Sequence, residues 1–172
     1  MINIVLYEPE IPQNTGNIMR TCVATGSKLH LIEPLGFSVD SKILKRCGVN
    51  YIDKLEYYVY KNYEDFIEKN KDKGDFYFFT RYGHKPHTSF DYSKVKKDIY
   101  LIFGKESTGI PKKILRTSIE QCARIPMTDD VRALNLSNCC AIVVYEVLRQ
   151  RNYEGLLFEE PHKDKNYIML DD

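Results

Sequence analysis

The stretch IYLIFGKESTGIP, residues 99–111, decides the fold class. Its first five residues are a continuous run of aliphatic and aromatic side chains, and a loop with two glycines follows at once. A second run of this kind, FYFFT at residues 76–80, is also followed by a glycine. Unbroken apolar runs bounded by glycine are typical of strands buried on both faces of a parallel sheet. The sequence therefore predicts an α/β fold with a parallel sheet flanked by helices.

The same reasoning, applied outward from these runs, predicts the remaining elements. Strands are expected at residues 2–7 and 29–32, and helices at 16–25, 42–47, 62–70 and 137–151. Thr15 is a possible N-cap of the first helix, and Gly26 is expected to end it. Ser137 to Arg151 could be a strand by propensity alone, but its length favours a helix packed on the sheet.

The composition indicates one globular domain. The chain has 172 residues, of which 43% are hydrophobic and 28% charged, and its formal charge of +1 excludes a strongly basic nucleic-acid coat. We expect a single domain over residues 1–153 and an acidic extension over 154–172. The extension carries a net charge of −4, so the domain carries +5, with lysine and arginine clusters adequate for phosphate contacts.

Several features place the protein in the cytoplasm. The five cysteines include no CxxC pair and are interpreted as reduced thiols. The N-terminal residues have no basic segment of a signal peptide, and no apolar run is long enough to span a membrane. Four scattered histidines are interpreted as solvated loop residues, so no metal site is expected.

Common cofactor and catalytic motifs are absent. Gly104-Lys105 is followed by Glu106, which does not fit a P-loop, and no GxGxxG follows the first predicted strand. Ser107 and Ser137 have no histidine and acid at a recognisable spacing, so a hydrolase triad has no support.

Three segments remain that core packing and turns do not explain. They are PEIPQNTGNIMR at residues 9–20, LIFGKESTGIP at 101–111, and RIPM at 124–127 followed by ALNLSN at 133–138. Each lies in or next to a predicted loop. Ligands of open α/β sheets bind beyond the carboxyl ends of the strands, so the three segments could form one site.

The order PxxPxNxGNxxR, LxFGxExxGxP and RIPM with LNLSN resembles the three motifs of the SPOUT class of RNA methyltransferases, in its ribose 2′-O-methylating branch. Within that branch, residues 1–153 resemble the single-domain tRNA (cytidine/uridine-34) 2′-O-methyltransferases. The resemblance implies a C-terminal trefoil knot that binds S-adenosylmethionine. It also implies cofactor contacts from Phe79, Gly104, Ile125, Met127, Ala133, Leu134 and Asn135. The family often has serine where this chain has Ala133.

The resemblance implies attack by a ribose 2′-oxygen on the sulfonium methyl group, with a polar wall formed by Arg20, Asn17, Glu106, Ser137 and Asn138. Arg20 is the candidate nearest that oxygen. Because a guanidinium has no acceptor and a pKa above about 12, orienting a phosphate and stabilising the alkoxide suit Arg20 better than the role of a base. Glu106 could fix Arg20 or accept another hydrogen bond. The alternatives are a solvated Arg20 and an N-cap at Ser137-Asn138.

The function implied is methylation of the ribose at wobble position 34 of tRNA, with leucine tRNAs as the expected substrates. A homodimer through Ser137 to Arg151 is expected, and a purely intrachain core is the alternative for that helix. The alternative functions are 2′-O-methylation of another tRNA or rRNA site, and a catalytically silent RNA-binding module of the same fold.

Overall fold

A parallel sheet organises the computed structural model, which describes residues 1–39 and 52–169. Within those residues the sheet has six strands in the order β3-β2-β1-β5-β4-β6, all parallel to their neighbours. The strands are β1 (Ile2–Tyr7), β2 (Lys28–Ile32), β3 (Tyr57–Tyr60), β4 (Gly74–Phe79), β5 (Asp98–Phe103) and β6 (Cys122–Ala123). The predicted α/β class with a parallel sheet is confirmed.

Helices cover both faces of this sheet. They are α1 (Pro12–Thr25), α2 (Tyr63–Asn70), α3 (Lys112–Arg116) and α4 (Leu136–Gln150), with short 3₁₀ turns at Ile52–Lys54, His87–Ser89, Tyr92–Lys94, Ile119–Gln121 and Tyr167–Met169. Helices α1 and α4 pack into one apolar core with Ile4 and Leu101 of the central strands. Helices α2 and α3 pack into a second core on the opposite face. None of the helices in the described ranges is long and apolar enough to cross a membrane.

The apolar runs form the centre of the sheet. All six residues of β1 are buried, and β5 pairs with it in the register Ile4 to Leu101. The four predicted strands are therefore found within two residues of their expected ends. The sequence did not reveal β3, which is an edge strand with three exposed residues, or β6, which has only two residues.

The first helix begins earlier than predicted. It starts at Pro12 and its N-cap residue is Ile11, whose side chain makes no capping hydrogen bond. Thr15 is buried inside the helix, so its predicted role as a cap is wrong. Proline suits the first helical position because its missing N–H needs no partner there and its φ is already helical. The helix ends as predicted, with Gly26 in the left-handed conformation at φ 63°.

The N-cap of α4 also differs from the prediction. Asn135, and not Ser137 or Asn138, is the cap, and its side chain accepts a hydrogen bond from the Ser137 amide. Beyond the end of α4, Tyr153 and Leu156 still pack against the core, whereas Leu157 and Phe158 are 76% and 82% exposed. The domain boundary at residue 153 stays a prediction.

His30 corrects the interpretation of the histidines as solvated loop residues. It lies on β2 and is buried, with Nδ1 2.8 Å from the Tyr60 hydroxyl and Nε2 3.0 Å from Asn3 Oδ1. Burial, with smaller contributions from Lys28 and Lys73, lowers the pKa of His30 to about 4. Cys22, Cys122, Cys139 and Cys140 are free thiols. The predicted helix at residues 42–47, with Cys47, lies outside the described residues.

Candidate functional site

A cavity of about 420 Å³ opens where β4 and β5 end. The loops after β4, β5 and β6 and the start of α4 form its walls, so it lies beyond the carboxyl ends of the strands, as expected for an open α/β sheet. Eight of the residues singled out from the sequence line it: Phe79, Gly104, Glu106, Ile125, Met127, Ala133, Leu134 and Asn135. The fold therefore brings the second and third motifs together around one space.

The cavity combines an apolar wall with positive charge. Phe79 and Phe103 stack with ring centroids 5.2 Å apart, and Leu134 adds aliphatic surface. Arg81 and Arg124 also line the space. Within the described residues, the buried Nε of Arg124 has no hydrogen-bond partner. The walls suit a molecule with a planar apolar part and an anionic part.

Gly104 is required by the loop itself. A Cβ on this residue would overlap the backbone of Gly109 and Ile110, which cross close to it. Gly109 closes the turn with φ 74°, and its amide donates to the Lys105 carbonyl at 2.9 Å. The close approach at Gly104 is therefore an approach of the chain to itself, and the glycine also lines the cavity.

Glu106 joins the second motif to the first. One of its carboxylate oxygens accepts a hydrogen bond from the Glu10 amide at 2.8 Å. The other accepts from the Ile11 amide at 3.3 Å and from Asn14 Nδ2 at 2.9 Å. These donors lie at the start of α1, where backbone amides lack helical partners and a negative charge is favoured. Glu106 was expected either to fix Arg20 or to accept another hydrogen bond, and these contacts show it in the second role.

Asn14 extends the connection to the third motif. Its Oδ1 accepts a hydrogen bond from Asn135 Nδ2 at 2.9 Å. Asn135 Oδ1 in turn accepts from the amide and the hydroxyl of Ser137, at 2.9 Å and 2.7 Å. We call the chain Glu106–Asn14–Asn135–Ser137 the site network. It fixes the start of α1, the loop after β5 and the start of α4 against one another.

Two further contacts fasten the first and second motifs. Lys105 Nζ lies 2.7 Å from Glu8 Oε2, and Glu10 accepts hydrogen bonds from the Ser107 amide at 2.9 Å and hydroxyl at 2.8 Å. The bonds from Ser107 lower the pKa of Glu10, so its carboxylate stays ionised at neutral pH. The loop after β5 is therefore held on several sides before any ligand binds.

Four of the five predicted catalytic residues do not line the cavity. Asn17 and Arg20 are exposed on α1, and Asn138 is exposed on α4. Ser137 is buried beside the cavity and belongs to the site network. Asn14 was not among the predicted site residues although it is 95% buried at the centre of the network. Its place in the PxNxG segment is the signal that could have revealed it.

The described residues contain no group of three or more histidine, cysteine or acidic side chains that could hold a metal ion.

A sequence profile of the SpoU rRNA methylase family matches residues 1–145, which include all three motifs. The chain belongs to the SpoU rRNA methylase family. It is 52% identical over 163 residues to a Listeria monocytogenes protein provisionally named a tRNA (cytidine(34)-2′-O)-methyltransferase, with 95% of each chain covered. It is 44% identical over 161 residues to the tRNA (cytidine(34)-2′-O)-methyltransferase of Escherichia coli K12, and this match covers 93% of this chain and 100% of that one.

Solved structures share the SpoU-family fold of this chain. A provisionally named RNA methyltransferase from Bacillus anthracis is 54% identical with a TM-score of 0.88, covering 93% of this chain and 100% of that one. A structure described as giving insights into the 2-OH methylation of C/U34 on tRNA is 36% identical with a TM-score of 0.81, covering 90% and 98%. An AdoMet-bound rRNA methyltransferase from Sinorhizobium meliloti is 25% identical with a TM-score of 0.77, covering 86% and 56%.

Proposed function

We propose that this protein transfers a methyl group from S-adenosylmethionine to the ribose 2′-hydroxyl of the wobble nucleotide, position 34, of tRNA. The observation that carries the proposal is the site network, which ties all three motifs together at the rim of one cavity. Relatives that match nearly the whole chain are named for this activity. Leucine tRNAs are the substrates that the resemblance favours.

The cavity residues fit the cofactor. The cavity volume of about 420 Å³ lies in the usual range for small-molecule sites. Phe79, Ile125 and Leu134 offer apolar surface to an adenine ring, and Arg124 places a positive charge beside the space for a carboxylate. Gly104, Met127, Ala133 and Asn135 complete the walls. When bound, S-adenosylmethionine supplies an electrophilic methyl group on a sulfonium, and the S. meliloti neighbour is described as AdoMet-bound.

The polar residues around this space have distinct proposed roles. Arg20 orients the phosphate beside the reacting ribose and stabilises negative charge on its 2′-oxygen. Glu106 holds the start of α1 in position, and Ser137 does the same for Asn135. Asn17 and Asn138 are exposed and able to contact RNA.

The proposed enzyme is a homodimer that assembles through α4. This helix has a core face, yet Ile142 and Tyr145 are 39% and 47% exposed on its other side. These two side chains are three residues apart and so share one face of α4, which a second copy of the chain would cover. Sedimentation at micromolar concentration tests this, and a fully active monomer would refute it. The trefoil knot and a cytoplasmic location are further expectations from the family resemblance.

Loss of the modification in cells tests the function. We expect mass spectrometry of tRNA from cells lacking this protein to show the disappearance of the 2′-O-methyl group at position 34 and no change elsewhere. Unchanged methylation at position 34 with a loss at another tRNA or rRNA ribose would instead support the alternative substrate, which the rRNA methyltransferase neighbour favours. Unchanged methylation at every position would indicate a silent RNA-binding module.

A further inference from the structure

A second, basic cavity lies beside the first. It has a volume of about 220 Å³ and is lined by residues of the loop after β4 and by α3 and the turn that follows it. Thr80 and Tyr82 line both cavities, so the two spaces share a wall. We call this space the α3 cavity.

Two uncompensated positive charges border the α3 cavity. Lys112 and Arg116 are exposed and one helical turn apart on α3. Within the described part of the chain neither makes an ion pair, whereas the nearby carboxylates of Glu64 and Glu120 lie 3.9 Å from Lys113 and 3.4 Å from Lys85. The cavity therefore presents a local excess of positive charge that suits a phosphate group.

Apolar and aromatic surface lies beside these charges. Tyr82 is 55% exposed and Ile119 is 56% exposed. The Arg81 guanidinium lies 4.8 Å from the centroid of the Tyr82 ring and leaves much of that ring accessible. Cations next to exposed aromatic surface are the combination by which proteins bind single-stranded nucleic acid, through phosphate contacts and base stacking.

We infer that the α3 cavity binds a backbone phosphate and a neighbouring base of the substrate RNA, beside the nucleotide whose ribose enters the first cavity. The inference rests on the proposed function and adds a surface to it. Lys112 and Arg116 hold the phosphate, and the Tyr82 ring stacks on the base. Because Tyr82 borders both cavities, one RNA strand can occupy both at once.

The test compares two double variants with the same change of charge. Lys112→Gln/Arg116→Gln removes the two charges of the α3 cavity. Lys96→Gln/Lys97→Gln removes two exposed charges that precede β5, at the amino-terminal end of this strand and away from the two cavities. Steady-state methylation of tRNA, tRNA binding over a range of salt concentrations, and calorimetric titration with S-adenosylmethionine are measured for both.

We expect the α3 variant to raise KM for tRNA about tenfold, with kcat and cofactor affinity within twofold of wild type. The slope of log affinity against log salt should decrease by about 0.7, the contribution of one single-strand phosphate contact. The control pair should match wild type. Tyr82→Leu should also raise KM for tRNA, whereas Tyr82→Phe, which keeps the ring, should not.

An α3 variant that binds tRNA like wild type, or two double variants that weaken binding equally, would overturn the inference. If Tyr82→Leu binds tRNA as tightly as wild type does, the proposed stacking of Tyr82 on a base is wrong. A wild-type protein that transfers no methyl group to tRNA would overturn the proposed function itself, and the wild-type assay separates that failure from the others.

Discussion

Two hydrogen-bonded networks of this protein use the same amide chemistry for different ends. The site network joins Glu106, Asn14, Asn135 and Ser137 at the rim of the large cavity. A second network, which we call the sheet network, joins Asn3, His30, Tyr60 and Tyr100 of the sheet to Asn70 at the end of α2. All five residues of the sheet network are buried, and none lines the large cavity.

Both networks consist of polar side chains, but only the site network borders a cavity that a ligand can enter. Access to a ligand therefore distinguishes a network with a role in function from one that only stabilises the fold. The sheet network satisfies polar groups that would otherwise be buried without partners, and its aromatic members fill the core. The site network holds three loops whose other sides face a ligand-sized space. Disrupting the first should reduce stability, whereas disrupting the second should reduce catalysis.

The largest effect is expected at Arg20. We expect Arg20→Ala to reduce methyl transfer by about a thousandfold or more, because charge on the 2′-oxygen loses its stabilisation. Cofactor affinity should be nearly unchanged, since Arg20 does not line the cavity. Single-turnover kinetics and isothermal titration measure the two quantities. Lost cofactor binding in this variant would contradict the division of roles.

Asn14→Ala should reduce kcat by about a hundredfold. The change breaks the bonds to Glu106 and Asn135, and a displacement of about 1 Å at a catalytic group has an effect of this size. Unfolding should be easier by about 1–3 kcal/mol, because a buried amide loses its partners. Steady-state kinetics and denaturant unfolding check both. If Asn14→Ala is destabilised but fully active, Asn14 contributes to stability and not to catalysis.

Asn70→Leu is the matched change in the sheet network. It removes the acceptor of the Tyr100 hydroxyl and the donor to the Phe66 carbonyl. We expect a loss of about 2–3 kcal/mol, or roughly 5–10 °C in Tm, with kcat/KM per folded molecule unchanged. Calorimetry and active-site titration test this. If Asn70→Leu loses activity while its Tm is unchanged, the sheet network affects catalysis and the proposed difference between the two networks is wrong.

The smallest effect is a dependence of stability on pH from His30. Its folded pKa of about 4 is below the ordinary value of 6.5, so the unfolded chain binds more protons between these values. Stability is therefore complete above pH 6.5 and is lost as the pH falls towards 4, by about 2 kcal/mol at pH 5. Denaturant unfolding at pH 5 and 7 measures it. His30→Gln should remove this component, and an unaltered pH dependence in that variant would refute the assignment.

The sequence predicted the elements that local patterns determine. Strands β1 and β5 are unbroken apolar runs because both of their faces are buried, and Gly26 ended α1 as expected. The start of α1 was missed because the group that satisfies its free amides, Glu106, lies far away in the sequence. Strands β3 and β6 were missed because an exposed edge and a two-residue strand leave no apolar pattern.

The candidate site could also be predicted only as far as local sequence patterns determine it. The position of the three segments at loops beside the predicted strands indicated that they could form one site, and eight of the chosen residues line the cavity. The choice between Asn14 and Asn17 required the structure, since both amides lie in one motif and only the rotation of α1 buries one of them. Residue spacing could not supply the contacts that join Asn14 to Glu106 and Asn135.

The central claim is methyl transfer to one oxygen atom of one nucleotide. The purified protein is incubated with labelled S-adenosylmethionine and either a tRNA or the same tRNA carrying a 2′-deoxynucleotide at position 34. We predict stoichiometric methyl transfer to the first tRNA and none to the second. Equal transfer to both would contradict the account.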